Sequence, residues 1–198
     1  KETGAVISFK KVDVTDTAAL RQSIEEAMGK FGTIHALINN VANDKRTDID
    51  ELQEEEWHKS IDINLHPAFF AAQTAFPAMK KAGRGTIINF GSINSIIAPP
   101  NMVHYVTAKA GIEGMSKALA REYGPFGIRV NALLPGAIIT EKQKELWYTS
   151  EAEKEWKKMV SIKETIYPVD VARLTLFLAS DESTVITGQS IAICAGRT

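Results

Sequence analysis

Short apolar runs rich in β-branched residues alternate with longer stretches whose apolar positions recur at helical spacing. The short runs cover 5–12, 34–39, 85–90, 128–134 and 190–194, and each predicts a strand. The longer stretches, 17–31, roughly 54–81, 105–123 and 168–179, predict helices. The strand runs are apolar on both faces, as in a buried parallel sheet rather than a half-exposed antiparallel one. Helices lying between such strands supply the right-handed crossovers that parallel pairing needs. Turn residues agree: Gly32 follows one helix, and Gly124-Pro125 with Gly127 closes another. The expected fold class is α/β, a doubly wound parallel sheet, in one domain over 1–198.

Composition narrows the function classes. The chain has 198 residues, 44% hydrophobic and 24% charged, as in an ordinary soluble protein. A formal net charge of −1 removes any electrostatic case for nucleic acid or an anionic membrane. No apolar run approaches the ~20 residues needed to span a bilayer. Cys194 is the sole cysteine, which excludes an internal disulfide and suits a reducing, cytoplasmic location. His35, His58, His66 and His104 show no metal-ligand spacing, so no metal is expected.

Doubly wound sheets bind ligands beyond the carboxyl ends of their strands. That rule points to Asp13, residues 39–43, residues 91–95 and residues 135–140. In "HYVTAKAGIEG" Tyr105 and Lys109 stand at i and i+4, on one helix face a turn apart. A phenol with a pKa near ~10 is a poor base at neutral pH, and a neighbouring ammonium favours its ionised form. The same pair is also compatible with a buried Tyr beside a surface Lys. Ser92 ends "GTIINFGS", thirteen residues earlier, and Pro99-Pro100 force an extended return toward Tyr105. Its hydroxyl can then donate to the oxygen that Tyr105 protonates or deprotonates, or it is simply a turn residue. Asn64, in "SIDINLHPAFF", is a poor helix former in a helix-like stretch, where it can bend the helix and hold a water, or be solvated.

Taken in order, "INNVA", "INL", "INFGS", "YVTAK" and "PGAIIT" resemble the short-chain dehydrogenase/reductase family along the whole chain. The resemblance implies that Tyr105 is the acid/base and that Ser92 positions the substrate oxygen. Lys109 would hydrogen-bond the nicotinamide ribose and lower the tyrosine pKa, and Asn64 would hold the water of a proton relay. Asp13 would meet the adenine amino group, and Asn39 would steady the strand beside the adenine ribose. Pro135-Gly136, Ile138 and Thr140 would form the turn beside the nicotinamide, Ile138 through its backbone N–H. The cofactor is NAD or NADP; the side chain that decides between them follows a strand this sequence lacks.

Two departures stand out. The family pattern Asn-Ala-Gly reads Asn40-Val41-Ala42 here, and Cys194-Ala195 replaces a common Asp-Gly. The family's glycine-rich turn is also missing, and with it the first two strands. In the family's sheet order, 3-2-1-4-5-6-7, the run 5–12 would be the third strand, about 14 Å from its nearest partner at ~4.8 Å spacing. Several dozen further residues upstream are therefore expected.

Residues 141–159 are highly charged yet carry Trp147, Tyr148 and Trp156, as a lid over substrate would. Aromatic faces there suit the C–H face of a sugar, or they anchor the segment to the core. Ser92, Asn94, Trp147 and Tyr148 are the expected substrate contacts. "NVAND", "TAKAGIEGM" and "KELWYT" are similar to the family's aldose-oxidising members, which make a lactone. Reduction of an acyl-chain or lipophilic ketone, and a non-catalytic binding protein, are the alternatives. Ala110, Ile112, Met115, Ala118 and Leu119 ring most of their helix, leaving an apolar face beyond the one the sheet needs. A homotetramer, or at least a dimer, is expected through the helices containing Asn64 and Tyr105.

Overall fold

β2 (Gly85–Phe90) and β3 (Ile128–Pro135) are buried almost from end to end, as their largely apolar sequences require, and their buried Thr86, Asn89 and Asn131 are hydrogen-bonded. They form the centre of a parallel sheet flanked by β1 (Ala36–Asn39) and β4 (Ser190–Ile193), in the order β1-β2-β3-β4. The computed structural model describes residues 4–141 and 149–197. Helices follow as α1 (Thr17–Phe31), α2 (Glu54–Asn64), α3 (His66–Ala82), α4 (Asn94–Ile97), α5 (Val103–Tyr123), α6 (Ser150–Met159) and α7 (Pro168–Ala179).

Alternate strand residues feed two cores. Ile87 and Val130 pack against Ala72, Ala75 and Met79 of α3 and Leu119 of α5. Ile88 and Leu133, pointing the other way, meet Ile166 with Val171 and Leu178 of α7. The sheet is therefore covered on both faces, and its carboxyl edge is left for ligands.

Two expectations need correction. Residues 5–12 form no strand, and Val6, Ile7 and Phe9 are 77–89% exposed. β1 is the edge of the described sheet, and β propensity makes no strand without a partner to pair and a face to bury. The stretch 54–81 is also not one helix. It breaks at Leu65 (φ −128°, ψ −55°), whose N–H still closes on the Ile61 carbonyl. Pro67, in the first turn of α3, explains the break: it has no N–H to continue the ladder, and its ring collides with the preceding turn. α4 and α6 arise where the hydrophobic pattern is too short or too polar to announce them.

Candidate active site

β2 ends at Phe90, and Ser92 follows in a buried turn where its Oγ accepts the Asn94 N–H at 3.1 Å. The chain makes one turn as α4, reverses through Ala98 in a left-handed conformation (φ 44°), and re-enters at Val103. That return places Tyr105, in the first turn of α5, near enough to Ser92 for the serine side chain to favour the ionised phenol. One turn further, Lys109 is 1% exposed; its Nζ lies 5.7 Å from the Tyr105 ring centroid and donates to the Phe90 carbonyl at 2.7 Å. The structure thus gathers Ser92, Tyr105 and Lys109 at the carboxyl end of β2.

Asn64 is 3% exposed, which removes the solvated alternative. Its Oδ1 accepts the Asn43 N–H and its Nδ2 donates to the Asn43 carbonyl, both at 2.9 Å. Asn43 enters the sequence reading only as the end of the stretch 39–43, because a loop residue held by its backbone leaves no pattern of its own. His104 is likewise buried, and its Nδ1 accepts the N–H of Tyr105 at 2.7 Å. Asn94 begins α4 with its amide 3.6 Å from the Met102 sulfur.

Burial raises the Tyr105 pKa above 10.0; the Ser92 hydrogen bond offsets this in part and the Asp44 charge adds to it. Burial also draws Lys109 down to about 8. The expectation that Lys109 holds the phenol below its ordinary value is therefore corrected: one poorly solvated site penalises both charges.

Of the other expected residues, Asn39 and Pro135 close strands and Gly136 follows one, but Asp13, expected at a strand end, follows none, because 5–12 have no neighbour to pair with. Asn39 donates to Asn89 Oδ1 at 2.8 Å and to the Ala68 carbonyl at 3.3 Å, tying β1 to β2 and α3. Asn89 in turn donates to Ser116 Oγ at 2.9 Å. Asp13 accepts from the N–H and hydroxyl of Thr15 at 2.9 and 2.7 Å, which keeps its carboxyl below the usual range. The Pro135 carbonyl accepts from Ile93, and Gly136 donates to the Ile193 carbonyl. A side chain at Gly136 would put Cβ 2.9 Å from Cys194 Cα, so the glycine is required by the adjoining chain. Ile138 bridges to Ile166, and the Thr140 N–H bonds the Ile138 carbonyl.

Trp147 and Tyr148 lie outside the described residues. Trp156 is buried on α6 with Arg197 4.9 Å from its ring, an anchor rather than a substrate face. Among the described residues no cluster of His, Cys, Asp or Glu could hold a metal, and no helix is long and apolar enough to cross a membrane.

Two cavities flank the end of β1, one of about 570 Å³ bordered by Asn40, Phe90, Pro135, Ile138 and Thr140. The other, about 200 Å³, is bordered by Asn39, Asn64, Phe90 and Lys109. An ammonium has three donors, and Lys109 uses one on Phe90; the remainder, buried beside a cavity, suit a pair of ribose hydroxyls. The residues present fit the nicotinamide half of a dinucleotide.

A doubly wound sheet with its polar side chains gathered beyond the strand ends is a dinucleotide-binding architecture. Comparison with known proteins makes the class specific. Over residues 1–198 the chain matches the family model described as enoyl-(acyl carrier protein) reductase. It is 40% identical over 195 residues to a probable galactose dehydrogenase of Rhizobium meliloti, covering 98% of this chain and 76% of that one. It is 41% identical over 188 residues to a D-xylose 1-dehydrogenase of Caulobacter vibrioides, covering 95% and 74%. A 3-oxoacyl-[acyl-carrier-protein] reductase of Chlamydia muridarum is 35% identical over 195 residues, covering 98% and 78%. A crystal structure titled a putative short-chain alcohol dehydrogenase of Sinorhizobium meliloti superposes with a TM-score of 0.89 at 29% identity, over 95% of this chain and 75% of the other. The chain belongs to the short-chain dehydrogenase/reductase family. It is an NAD(P)-dependent oxidoreductase acting on CH–OH groups.

Proposed function

We propose that the protein oxidises an aldose at C1 to its lactone, with Asn64, Ser92, Tyr105 and Lys109 as the catalytic residues. The observation that carries the reading is the meeting of the Ser92 and Tyr105 side chains, with a buried lysine one turn behind. Held between these two hydroxyls, a C1 hydroxyl gives its proton to the Tyr105 phenolate while Ser92 donates to the same oxygen. A bound nicotinamide would supply the acceptor for the hydride leaving C1. Lys109 orients the ribose, and Asn64, at the Asn43 loop, holds a water through which Tyr105 returns its proton to solvent. Asp13, Asn39, Pro135, Gly136, Ile138 and Thr140 would hold the rest of the cofactor, NAD or NADP.

The choice of an aldose follows the identities: 40–41% to the two sugar dehydrogenases against 35% to the acyl-carrier reductase. Asn94, Trp147 and Tyr148 are proposed substrate contacts. A turnover screen of D-galactose and D-xylose with NAD and NADP, set against 3-oxoacyl thioesters, tests the reading. Reduction of the thioesters without aldose oxidation would replace it with the ketoacyl alternative, which the Chlamydia relative supports.

A further inference from the structure

Ser92 owes its place to the single helical turn that follows it. On either side, the N–H groups of Gly91 and Ile93 are tied to β3, through the Leu133 carbonyl at 2.8 Å and the Pro135 carbonyl at 3.0 Å. The Ser92 carbonyl accepts the Ser95 N–H at 3.1 Å and the Ser95 hydroxyl at 2.6 Å, while its Oγ takes the Asn94 N–H at 3.1 Å. Accepting at Oγ leaves the hydroxyl hydrogen free to donate to a substrate oxygen. The aim of that hydroxyl therefore depends on where α4 sits.

α4 has little of its own to hold it. It is four residues long, too short to be stable alone, has no side-chain N-cap, and ends on Ala98 at φ 44°. Among the described residues, two side-chain hydrogen bonds reach from it to the rest of the chain. One, from Asn94 to the Met102 sulfur at 3.6 Å, is weak. The other joins Ser95 Oγ to Glu113 Oε1 at 2.5 Å, the length of a hydroxyl bound to a carboxylate.

Glu113 stands eight residues after Tyr105 and four after Lys109, on one stripe of α5. It is partly buried and forms no ion pair with another described residue, although Lys117 is one turn further on. Its carboxylate is directed at a serine hydroxyl instead. α5 thus reaches the end of β2 through Lys109 and α4 through Glu113, so the helix that carries Tyr105 also holds the turn that carries Ser92.

We propose that Glu113 and Ser95 are positioning residues for the proton-transfer step. Glu113 holds Ser95, and Ser95 holds the Ser92 carbonyl, so that the Ser92 hydroxyl meets the substrate oxygen beside Tyr105. Both act through Ser92, and neither is a catalytic residue. The assignment rests on the catalytic role proposed for Ser92 and is the same whether the substrate is an aldose or a 3-oxoacyl thioester.

The experiment measures kcat, KM and cofactor Kd for full-chain variants, by oxidation of D-galactose and by reduction of a 3-oxoacyl thioester. Ser95→Ala and Glu113→Ala are each expected to lower kcat about tenfold, as a misplaced reacting group does, and to leave cofactor Kd within about twofold. Combined, they should be no worse than either alone, because both break the same strut. Glu113→Gln and Ser95→Thr, which keep the acceptor and the hydroxyl, should recover most of the lost rate. In a Ser92→Ala background, removing Ser95 or Glu113 should change kcat by less than about twofold, since the group they aim is already gone. A merely structural role would lower the rate in that background as well. Full activity in Ser95→Ala, or an equal loss with and without the Ser92 hydroxyl, would overturn the assignment while leaving Ser92 in its role. A Ser92→Ala protein as active as wild type, or wild type that turns over neither compound, would fail the catalytic reading itself and take the strut with it.

Discussion

Lys109 donates from its buried ammonium to the carbonyl of Phe90 at 2.7 Å, joining the end of β2 to the first turns of α5. Ser92 is two residues beyond Phe90, and Tyr105 is one turn before Lys109. Together with the bond from Asn89 on β2 to Ser116 on α5, it ties together the two elements that carry the reacting hydroxyls.

The burial that accompanies this bond has a measurable cost. Burial lowers Lys109 from 10.5 to about 8, so between these values the unfolded chain binds more protons than the folded one. Stability then rises with pH across this window, and the full cost of burying the charge applies below pH 8. Urea unfolding from pH 7.5 to 10.5 should show wild type gaining on Lys109→Met by up to about 3 kcal/mol. A constant difference between the two proteins would mean that the ammonium is solvated.

Tyr105→Phe should keep the fold, since the ring fills the same space, and keep cofactor binding, which is proposed to rest on Lys109. Turnover should fall below about a tenth of wild type, because no other side chain there can take the hydroxyl proton. Steady-state oxidation with fluorescence titration of the reduced cofactor checks both halves. The raised Tyr105 pKa adds a direction: kcat/KM for oxidation in wild type should climb from neutral into alkaline pH.

How much of this was readable in the residues depends on whether a signal is local. Parallel strands buried on both faces announce themselves as runs such as "GTIINF", and Pro168–Ala179 appears with its exact bounds. Tyr105, Lys109 and Ser92 are legible because an i, i+4 pair and a strand end each have a fixed geometry. The run 5–12 was misread because a strand depends on its neighbour, and β1 has none on that side. The break at Leu65 was foreshadowed by Pro67 but hidden by apolar periodicity on either side of it. Asn43 and His104 have meaning only through residues that are distant in sequence or through burial, and no periodicity reports either.

Asn64 shows what such a distant contact is worth. Asn64→Ala removes two 2.9 Å hydrogen bonds to the Asn43 backbone and should cost about 2 kcal/mol. The loss should be concentrated in the loop from β1 to α2. Hydrogen exchange at 43–47 should accelerate well before that of β2 and β3. Uniform exchange changes across the sheet would instead make Asn64 a general packing residue.

Assembly is the remaining expectation with a physical basis on α5. Ile112 and Leu119 are buried against the sheet side, while Val103, Thr107, Ala110, Gly114 and Ala118 are exposed along a line at helical spacing. The line is small and largely uncharged, so a second helix can approach closely, as the proposed tetramer through the Asn64 and Tyr105 helices requires. Ala110→Arg places a long charged side chain in the middle of that line and touches no core residue. Light scattering at micromolar concentration should give a multiple of the 21.7 kDa chain mass for wild type and a smaller multiple for the variant. A wild-type protein of single-chain mass would exclude the interface, and an Ala110→Arg variant of unchanged mass would move it to another face.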